Sequence, residues 1–148
     1  RLHSKYELLN LPDKLGKESM MMLAQEPEIK RTLDLVSNSN IVVFGVGRAD
    51  EMILKRNLPE SKTQEILDKG AIGESFGYYF NQSGEIVYRL NTIGIDLESV
   101  KQARNVIAVF AGSKKVEAFL AISKINENLV LVTDEHSGEK LIELIKSQ

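Results

Sequence analysis

The strongest fold signal in the chain is Asn40-Ile41-Val42-Val43-Phe44-Gly45-Val46-Gly47, an uninterrupted apolar run that ends in glycines. Continuous apolar strands are typical of parallel sheets, in which helices cover both faces of each strand. This stretch therefore predicts a strand of a parallel sheet that is buried on both faces and is followed by a tight turn.

Two further apolar runs, residues 106–110 and 129–133, have the same character. Helical patterns alternate with these runs over residues 96–103, 113–124 and 135–146. Asp96 stands where a helix N-cap is expected. Because strands that alternate with helices form βαβ crossovers in a parallel sheet, the chain is predicted to be an α/β protein.

The remaining segments predict more helices and one antiparallel insertion. A short strand is expected over residues 6–11, and helices are expected over residues 17–24, 26–36, 48–56 and 60–69. Two β-rich segments, 72–80 and 85–90, are joined by Asn81-Gln82-Ser83-Gly84, whose residue types favour turns. They predict a β-hairpin or meander that is inserted midway. No boundary of a second domain stands out.

Composition and charge narrow the class of protein. The 148 residues suit one domain with a substantial core. The net charge of −2 lacks the basic excess with which DNA-binding domains neutralise phosphates. The chain has no cysteine, which excludes disulfides and thiolate metal sites, and it has no signal-peptide pattern and no apolar run long enough to span a membrane. These features favour a cytoplasmic protein.

The loop after the strand at residues 106–110 is a candidate anion site. It contains Gly112, Ser113 and Lys115 at the start of a predicted helix. Backbone amides and the helix dipole favour anions there, glycine allows a close approach, and lysine adds a positive charge. The alternative is an ordinary strand-to-helix turn without a ligand, and the spacing alone leaves both interpretations open.

The sequence offers few catalytic or cofactor motifs. Gly45-Val46-Gly47 lacks the third glycine of a dinucleotide fingerprint, and the phosphate-loop motif is absent. The two histidines, His3 and His136, lie in no metal-ligand or nucleophile pattern. We therefore predict no catalytic residue, no metal and no cofactor.

Three charged residues in the middle of the chain are open to two interpretations. Lys55 and Arg56 lie at the end of a predicted helix, where they are either ligand-binding cations or surface charges that suit the helix dipole. Glu74 lies in an aromatic stretch, where it either is buried with a basic or sugar-hydroxyl partner or points into water from an edge strand.

The order of five segments resembles the effector-binding domain of SorC-type sugar-responsive repressors over nearly the whole chain. These segments are Phe44-Gly45-Val46-Gly47, Lys55-Arg56-Asn57-Leu58-Pro59, Gly73-Glu74-Ser75-Phe76-Gly77-Tyr78-Tyr79-Phe80, Ala111-Gly112-Ser113-Lys114-Lys115-Val116-Glu117-Ala118 and Leu131-Val132-Thr133-Asp134-Glu135. The aromatic block, in this order with the others, is the most specific of them.

The resemblance implies a Rossmann-like sugar-binding domain, similar in fold to glucosamine-6-phosphate deaminase and ribose-5-phosphate isomerase, that works as a sensor. A phosphosugar such as fructose 1,6-bisphosphate is the implied effector. The implied assembly is a homo-oligomer, a dimer or tetramer, that contacts operator DNA only through an N-terminal helix-turn-helix domain.

The resemblance also implies the site residues. Lys55, Arg56 and Lys115 match basic ligand positions, with Lys55 replacing an arginine, and Glu74 matches an acidic one; Gly112 and Ser113 belong to the same loop as Lys115. The family's Gly-Thr-rich phosphate loop and a further arginine are not found. Together with the start at Arg1, this indicates that residues 1–148 are the C-terminal part of the effector domain.

Two alternatives stay open. The fold kinship would also suit a sugar-phosphate isomerase or deaminase, for which Glu74 is the strong acid–base candidate. An assembly module that no longer senses sugar is the other.

Overall fold

A computed structural model describes residues 4–11 and 15–147. The helices are α1 (Lys17–Leu23), α2 (Pro27–Ser37), α3 (Ala49–Lys55), α4 (Glu60–Asp68), α5 (Leu97–Gln102), α6 (Val116–Ser123) and α7 (Glu135–Lys146). The strands are β1 (Ile41–Gly45), β2 (Gly47–Arg48), β3 (Ala71–Ser75), β4 (Tyr78–Asn81), β5 (Ile86–Arg89), β6 (Asn105–Val109) and β7 (Leu129–Val132).

The three apolar runs form a parallel sheet in the order β1-β6-β7. Val42 lies beside Val106, and Val106 lies beside Leu129, so the three strands are in continuous register. The predicted α/β class with a parallel sheet is confirmed. Asp96 caps α5 as predicted, because its carboxylate accepts a hydrogen bond from the Ser99 N–H.

One face of the parallel sheet is buried and the other is open. Val42, Phe44, Val106 and Ala108 pack into the main core together with residues of α5, α6 and α7. The alternate side chains point the other way, and Ile41 and Val43 are 60% and 63% exposed.

The prediction that β1 is buried on both faces is therefore wrong for these residues. Its physical reason is that helices pack on one side only. The helices that precede β1, α1 and α2, contain no buried residue and do not seal the open face. The face also includes Val130 and Val132, which are more than half exposed.

A four-stranded antiparallel sheet, β2-β3-β4-β5, lies between β1 and β6 along the chain. The sequence predicts a hairpin there, with one continuous strand over residues 72–80. That strand is instead divided by a turn at Phe76 and Gly77, whose φ angles of 57° and 82° are both positive. Two-residue turns of this kind join antiparallel strands tightly, so β3 and β4 form a hairpin of their own.

Two further predictions differ from the structure. Residues 6–11 have no regular secondary structure, because no described strand lies beside them to take up their hydrogen bonds. The helix predicted over residues 113–124 begins as a 3₁₀ turn at Ser113–Lys115 and continues as α6.

A second, smaller core lies under α3 and α4. Ala49 and Ile53 of α3, Ile66 of α4, and Ala71 and Tyr79 of the antiparallel sheet are buried together. This core fixes the end of α3 against β3 and β4, which is where the charged residues of interest lie.

Gly73 allows α6 to pack closely on β3. A Cβ atom at Gly73 would lie 3.0 Å from the Ala118 carbonyl oxygen and 3.1 Å from Ile122 Cδ1. We therefore expect Gly73→Ala to lower the free energy of unfolding by about 1–3 kcal/mol through overpacking, measured by urea denaturation. Gly138→Ala is the matched control: that site in α7 is open, so the change is expected to be neutral or stabilising. Equal effects of the two changes would contradict this account.

Candidate functional site

The carboxylate of Glu74 is buried in the antiparallel sheet. Glu74 lies on β3, opposite Gly47 of β2 and Tyr79 of β4, and it is 3% exposed. Its Oε1 atom accepts hydrogen bonds from Arg56 Nη2 at 2.9 Å and from the Gly77 backbone N–H at 2.8 Å. A buried carboxylate is costly unless it is paired, and these two donors compensate it. The interpretation of Glu74 as a water-facing edge residue is wrong.

Arg56 reaches Glu74 because α3 ends immediately before it. The Arg56 N–H donates to the Met52 carbonyl, and Asn57 then adopts a left-handed φ of 48°, which ends the helix. The side chain of Arg56 is 27% exposed, while its Nε atom is buried without a hydrogen-bond partner among the described residues. Of the two partners that the sequence leaves open for a buried Glu74, a basic side chain or a sugar hydroxyl, the structure shows the basic side chain of Arg56.

The two members of the predicted basic pair differ in their surroundings. Lys55 is exposed and forms no ion pair with any residue that the structure describes. At the last position of α3 its charge suits the helix dipole. The structure therefore brings Arg56, but not Lys55, into contact with Glu74.

Tyr79 completes this cluster, and no pattern in the sequence pointed to it. It is 0% exposed, it lies opposite Glu74, and its hydroxyl has no partner within the described ranges. Burial raises the pKa of Tyr79 to about 12; the Glu74 charge adds to this rise and the Arg56 charge opposes it. Tyr79 therefore stays protonated at neutral pH.

The predicted anion loop binds a carboxylate of the chain itself. Gly112 has a φ of 97°, and its N–H donates to Asp134 Oδ2 at 2.8 Å. Asp134 also caps α7, because its Oδ1 accepts from the Ser137 N–H at 3.0 Å and its Oδ2 from the Ser137 hydroxyl at 2.7 Å. These hydrogen bonds hold the pKa of the Asp134 carboxyl at about 2, and the bond from the Ser137 hydroxyl has the largest effect.

The rest of this loop leaves space for a ligand. Lys115 is half-buried and makes no ion pair with a described residue, and the Ser113 carbonyl accepts from Lys140 Nζ at 3.2 Å. Apart from its two chain neighbours, no described residue has a heavy atom within 4 Å of the position that a Cβ at Gly112 would occupy. The loop is therefore open to solvent on that side.

The Glu74 cluster and the Gly112 loop lie at the same end of the parallel sheet. Ser75, next to Glu74, donates from its hydroxyl to the Gly45 carbonyl at the end of β1 at 3.0 Å. Gly45 lies beside Val109, the last residue of β6 before the loop. Ligands of open α/β sheets bind at this carboxyl end. No hydrogen bond or ion pair joins the two groups of residues in the described part of the chain.

Neither a metal-binding cluster nor a membrane-spanning helix is present among the residues that the structure describes. Among residues 4–11 and 15–147, no group of three or more His, Cys, Asp or Glu side chains is placed to hold a metal ion. No helix within the same residues is long and apolar enough to cross a bilayer.

The mixed α/β fold and the charged cluster at the carboxyl end of the parallel sheet are typical of ligand-binding domains. Residues 1–143 match the family model described as "Putative sugar-binding domain". The chain belongs to this family, the sugar-binding domain of SorC-type regulators.

The named relatives are transcription regulators. The chain is 38% identical to the central glycolytic genes regulator of Priestia megaterium over 94% of its own length, and 37% identical to that of Bacillus subtilis over 93%. It spans only 41% and 40% of the length of these two relatives.

Solved structures agree with this assignment. A chain described as "putative SorC family transcriptional regulator" from Enterococcus faecalis superposes with a TM-score of 0.85 at 33% identity, covering 93% of this chain and 56% of that one. A sugar-binding domain of a transcriptional repressor from Vibrio fischeri, at 22% identity, has a TM-score of 0.77 over 95% of this chain and 59% of that one, which shows the shared fold.

The ion pair of Arg56 and Glu74 is expected to be strongly coupled. Arg56→Met leaves the Glu74 carboxylate buried with one donor fewer, so we expect the free energy of unfolding to fall by about 2 kcal/mol, with part of the loss recovered in Arg56→Met/Glu74→Gln. Chemical denaturation of the double-mutant cycle measures this. Arg31→Met, which removes an exposed pair with Glu7, is the control and is expected to change little. Additive effects at positions 56 and 74 would contradict the coupling.

Asp134 is expected to contribute an acid-sensitive part of the stability. Because its folded pKa of about 2 lies below its ordinary value of 3.8, the contribution is present above about pH 4 and is lost as the pH falls towards 2. Asp134→Asn should therefore flatten the decline of the melting temperature between pH 4 and pH 2. If the melting temperature of this variant fell between pH 4 and pH 2 as steeply as that of the wild type, the assignment would be contradicted.

Proposed function

We propose that residues 1–148 are the C-terminal part of the phosphosugar effector-binding domain of a bacterial repressor of glycolytic genes. The observation that carries this proposal is the buried Glu74 carboxylate, which uses one oxygen for Arg56 and Gly77 and keeps the other without a described partner. A carboxylate beside a guanidinium, at the ligand-binding end of the sheet, suits a ligand with both hydroxyl and phosphate groups.

The proposed roles follow from charge and position. Lys55, Arg56 and Lys115 neutralise phosphate, and Glu74 accepts hydrogen bonds from sugar hydroxyls. Ser113 donates its hydroxyl, and Gly112 lets the ligand approach the backbone, which the open space beside it supports. Fructose 1,6-bisphosphate or a related phosphosugar, with phosphates at two ends, fits a site whose cations lie in two separate groups.

The domain works within a longer, oligomeric protein. We infer a homo-oligomeric, cytoplasmic repressor in which effector binding changes subunit contacts and DNA is bound through an N-terminal domain outside these residues. The relatives named as regulators of central glycolytic genes support this role. The domain is Rossmann-like, related to glucosamine-6-phosphate deaminase and ribose-5-phosphate isomerase, and the rest of it covers the open face at Ile41 and Val43. The exposure of these two apolar side chains supports that placement.

We further propose that the site senses and does not catalyse. Glu74 has Arg56 and Tyr79 as neighbours, and Tyr79, with a pKa of about 12, does not exchange protons readily near neutral pH. General acid–base catalysis on a sugar phosphate needs a second group that titrates near the working pH, and Tyr79 is not such a group.

Calorimetry on the full-length repressor tests the effector site. We expect saturable binding of fructose 1,6-bisphosphate without turnover, and about 10- to 100-fold weaker binding in Lys115→Ala, which loses a charge-assisted contact. Lys114→Ala is the control, because Lys114 is exposed in the same turn. The absence of binding by any phosphosugar would refute the proposed function, and equal losses in both variants would refute the role of Lys115.

A further inference from the structure

The turn that carries Lys115 is held by α7 at two points. At the start of the turn, the Gly112 N–H donates to the Asp134 carboxylate at 2.8 Å. One residue further on, the Ser113 carbonyl accepts a hydrogen bond from Lys140 Nζ at 3.2 Å. Because Asp134 is the N-cap of α7 and Lys140 lies in its second turn, a single helix restrains two backbone groups of this turn.

The Ser113 carbonyl uses both of its lone pairs. It accepts a hydrogen bond from the Val116 N–H, which closes the 3₁₀ turn, and a second one from the Lys140 ammonium. A hydrogen bond from a charged donor is stronger than one between neutral groups. The Lys140 ammonium therefore fixes the direction of the Ser113 carbonyl, and with it the peptide unit that leads towards Lys115.

The turn gains little rigidity from its own backbone or from core packing. Gly112 has a φ of 97°, and a 3₁₀ turn has poorer hydrogen-bond geometry than an α-helix. Of Ser113–Lys115, all of which the structure describes, no residue is buried. The position of Lys115 therefore depends on the two bonds from α7.

The helix that provides these bonds is itself fixed to the main core. Ser137 is 0% exposed, and both its N–H and its hydroxyl donate to the Asp134 carboxylate. Leu141 and Leu144 pack against the main core further along the helix. Lys140 lies between these anchors, so the packing of α7 sets the place from which its ammonium reaches Ser113.

Lys140 approaches the turn from the face of the antiparallel sheet that Glu74 does not occupy. It lines a groove together with Arg48 of β2 and Ala118 of α6. Arg48 lies opposite Gly73, and a Cβ atom at Gly73 would lie 3.0 Å from the Ala118 carbonyl oxygen, so this groove is on the α6 side of β3. Glu74, the next residue of β3, points to the other face, because side chains alternate along a strand.

We propose that Lys140 is a positioning residue of the effector site, whose ammonium holds the Ser113–Lys115 turn so that Lys115 meets the phosphate of the ligand. The inference rests on the proposed function and deepens it, because it adds a residue that acts on affinity without touching the ligand. A turn that is ordered before binding loses less conformational freedom when the ligand arrives. Through this one hydrogen bond, α7 takes part in effector binding.

A double-mutant cycle of binding affinities in the full-length repressor tests this role. By calorimetry with fructose 1,6-bisphosphate, we expect Lys140→Met to weaken binding about 3- to 10-fold, but less than about 2-fold when Lys115→Ala is already present. The reason is that the position of the turn matters only while Lys115 is there to contact phosphate. Lys124→Met is the matched control, because Lys124 Nζ likewise donates to a backbone carbonyl, that of Ser83 at 2.7 Å, in the turn between β4 and β5. It should leave the affinity unchanged.

Two results of this cycle would overturn the inference and leave the proposed function standing. Equal losses with and without Lys115→Ala would mean that Lys140 acts on the ligand through its own charge. Unchanged affinity in Lys140→Met would mean that the turn is held without it. Failure of the wild type to bind any phosphosugar refutes the proposed function itself, and with it this role of Lys140.

Hydrogen–deuterium exchange of the ligand-free repressor provides a second measurement. Without the Lys140 ammonium the turn opens more often, so we expect peptides that span residues 112–116 to exchange about 3- to 10-fold faster in Lys140→Met. The same peptides should exchange at the wild-type rate in Lys124→Met. Unchanged exchange over residues 112–116 in Lys140→Met overturns the inference even if the affinity of that variant falls.

Discussion

The burial of the Glu74 carboxylate is the constraint on which the arrangement of this domain depends. An ionised group at 3% exposure must be compensated from within the chain, and the compensation comes from two different places. Arg56 supplies it from the end of α3, and the Gly77 amide supplies it from the turn between β3 and β4. The next residue, Ser75, links the same strand to the end of β1. Glu74 and its neighbour Ser75 therefore join α3, the β3–β4 hairpin and the parallel sheet.

Local sequence predicted the parts of the fold that hydrophobic pattern determines. Uninterrupted apolar runs identified β1, β6 and β7, because strands of a parallel sheet need little alternation. The same pattern wrongly placed Ile41 and Val43 in the interior, since burial depends on what packs against a face and not on the strand itself. The Phe76-Gly77 turn was also missed. Of its two residues only Gly77 has a type that favours a turn, because a phenylalanine with positive φ is not expected from residue preferences.

The candidate site was predictable where charge stood out from its surroundings. Glu74 in an aromatic stretch, and a basic pair at a helix end, drew attention by their residue types alone. Tyr79 could not be found in this way, because a tyrosine in an apolar strand is usually a core residue. The bond from Gly112 to Asp134 was equally hidden, because it joins loops that are 22 residues apart and only the register of β6 and β7 brings them together.

Two hydrogen bonds at this end of the sheet, from the Gly112 amide to Asp134 and from Arg56 to Glu74, would couple a bound ligand to the surrounding structure. The Gly112 amide is occupied by Asp134, and Asp134 caps α7. A phosphate that accepted a hydrogen bond from this amide would displace the Asp134 carboxylate, whose bonds to Ser137 cap the start of α7. In the same way, a ligand at Arg56 would share the guanidinium with Glu74 and, through it, with the β3–β4 turn. A ligand shifts a conformational equilibrium only through differential contacts with the two states. Groups already engaged in structural bonds provide such contacts, because a ligand that binds them changes the bonds they make within the protein.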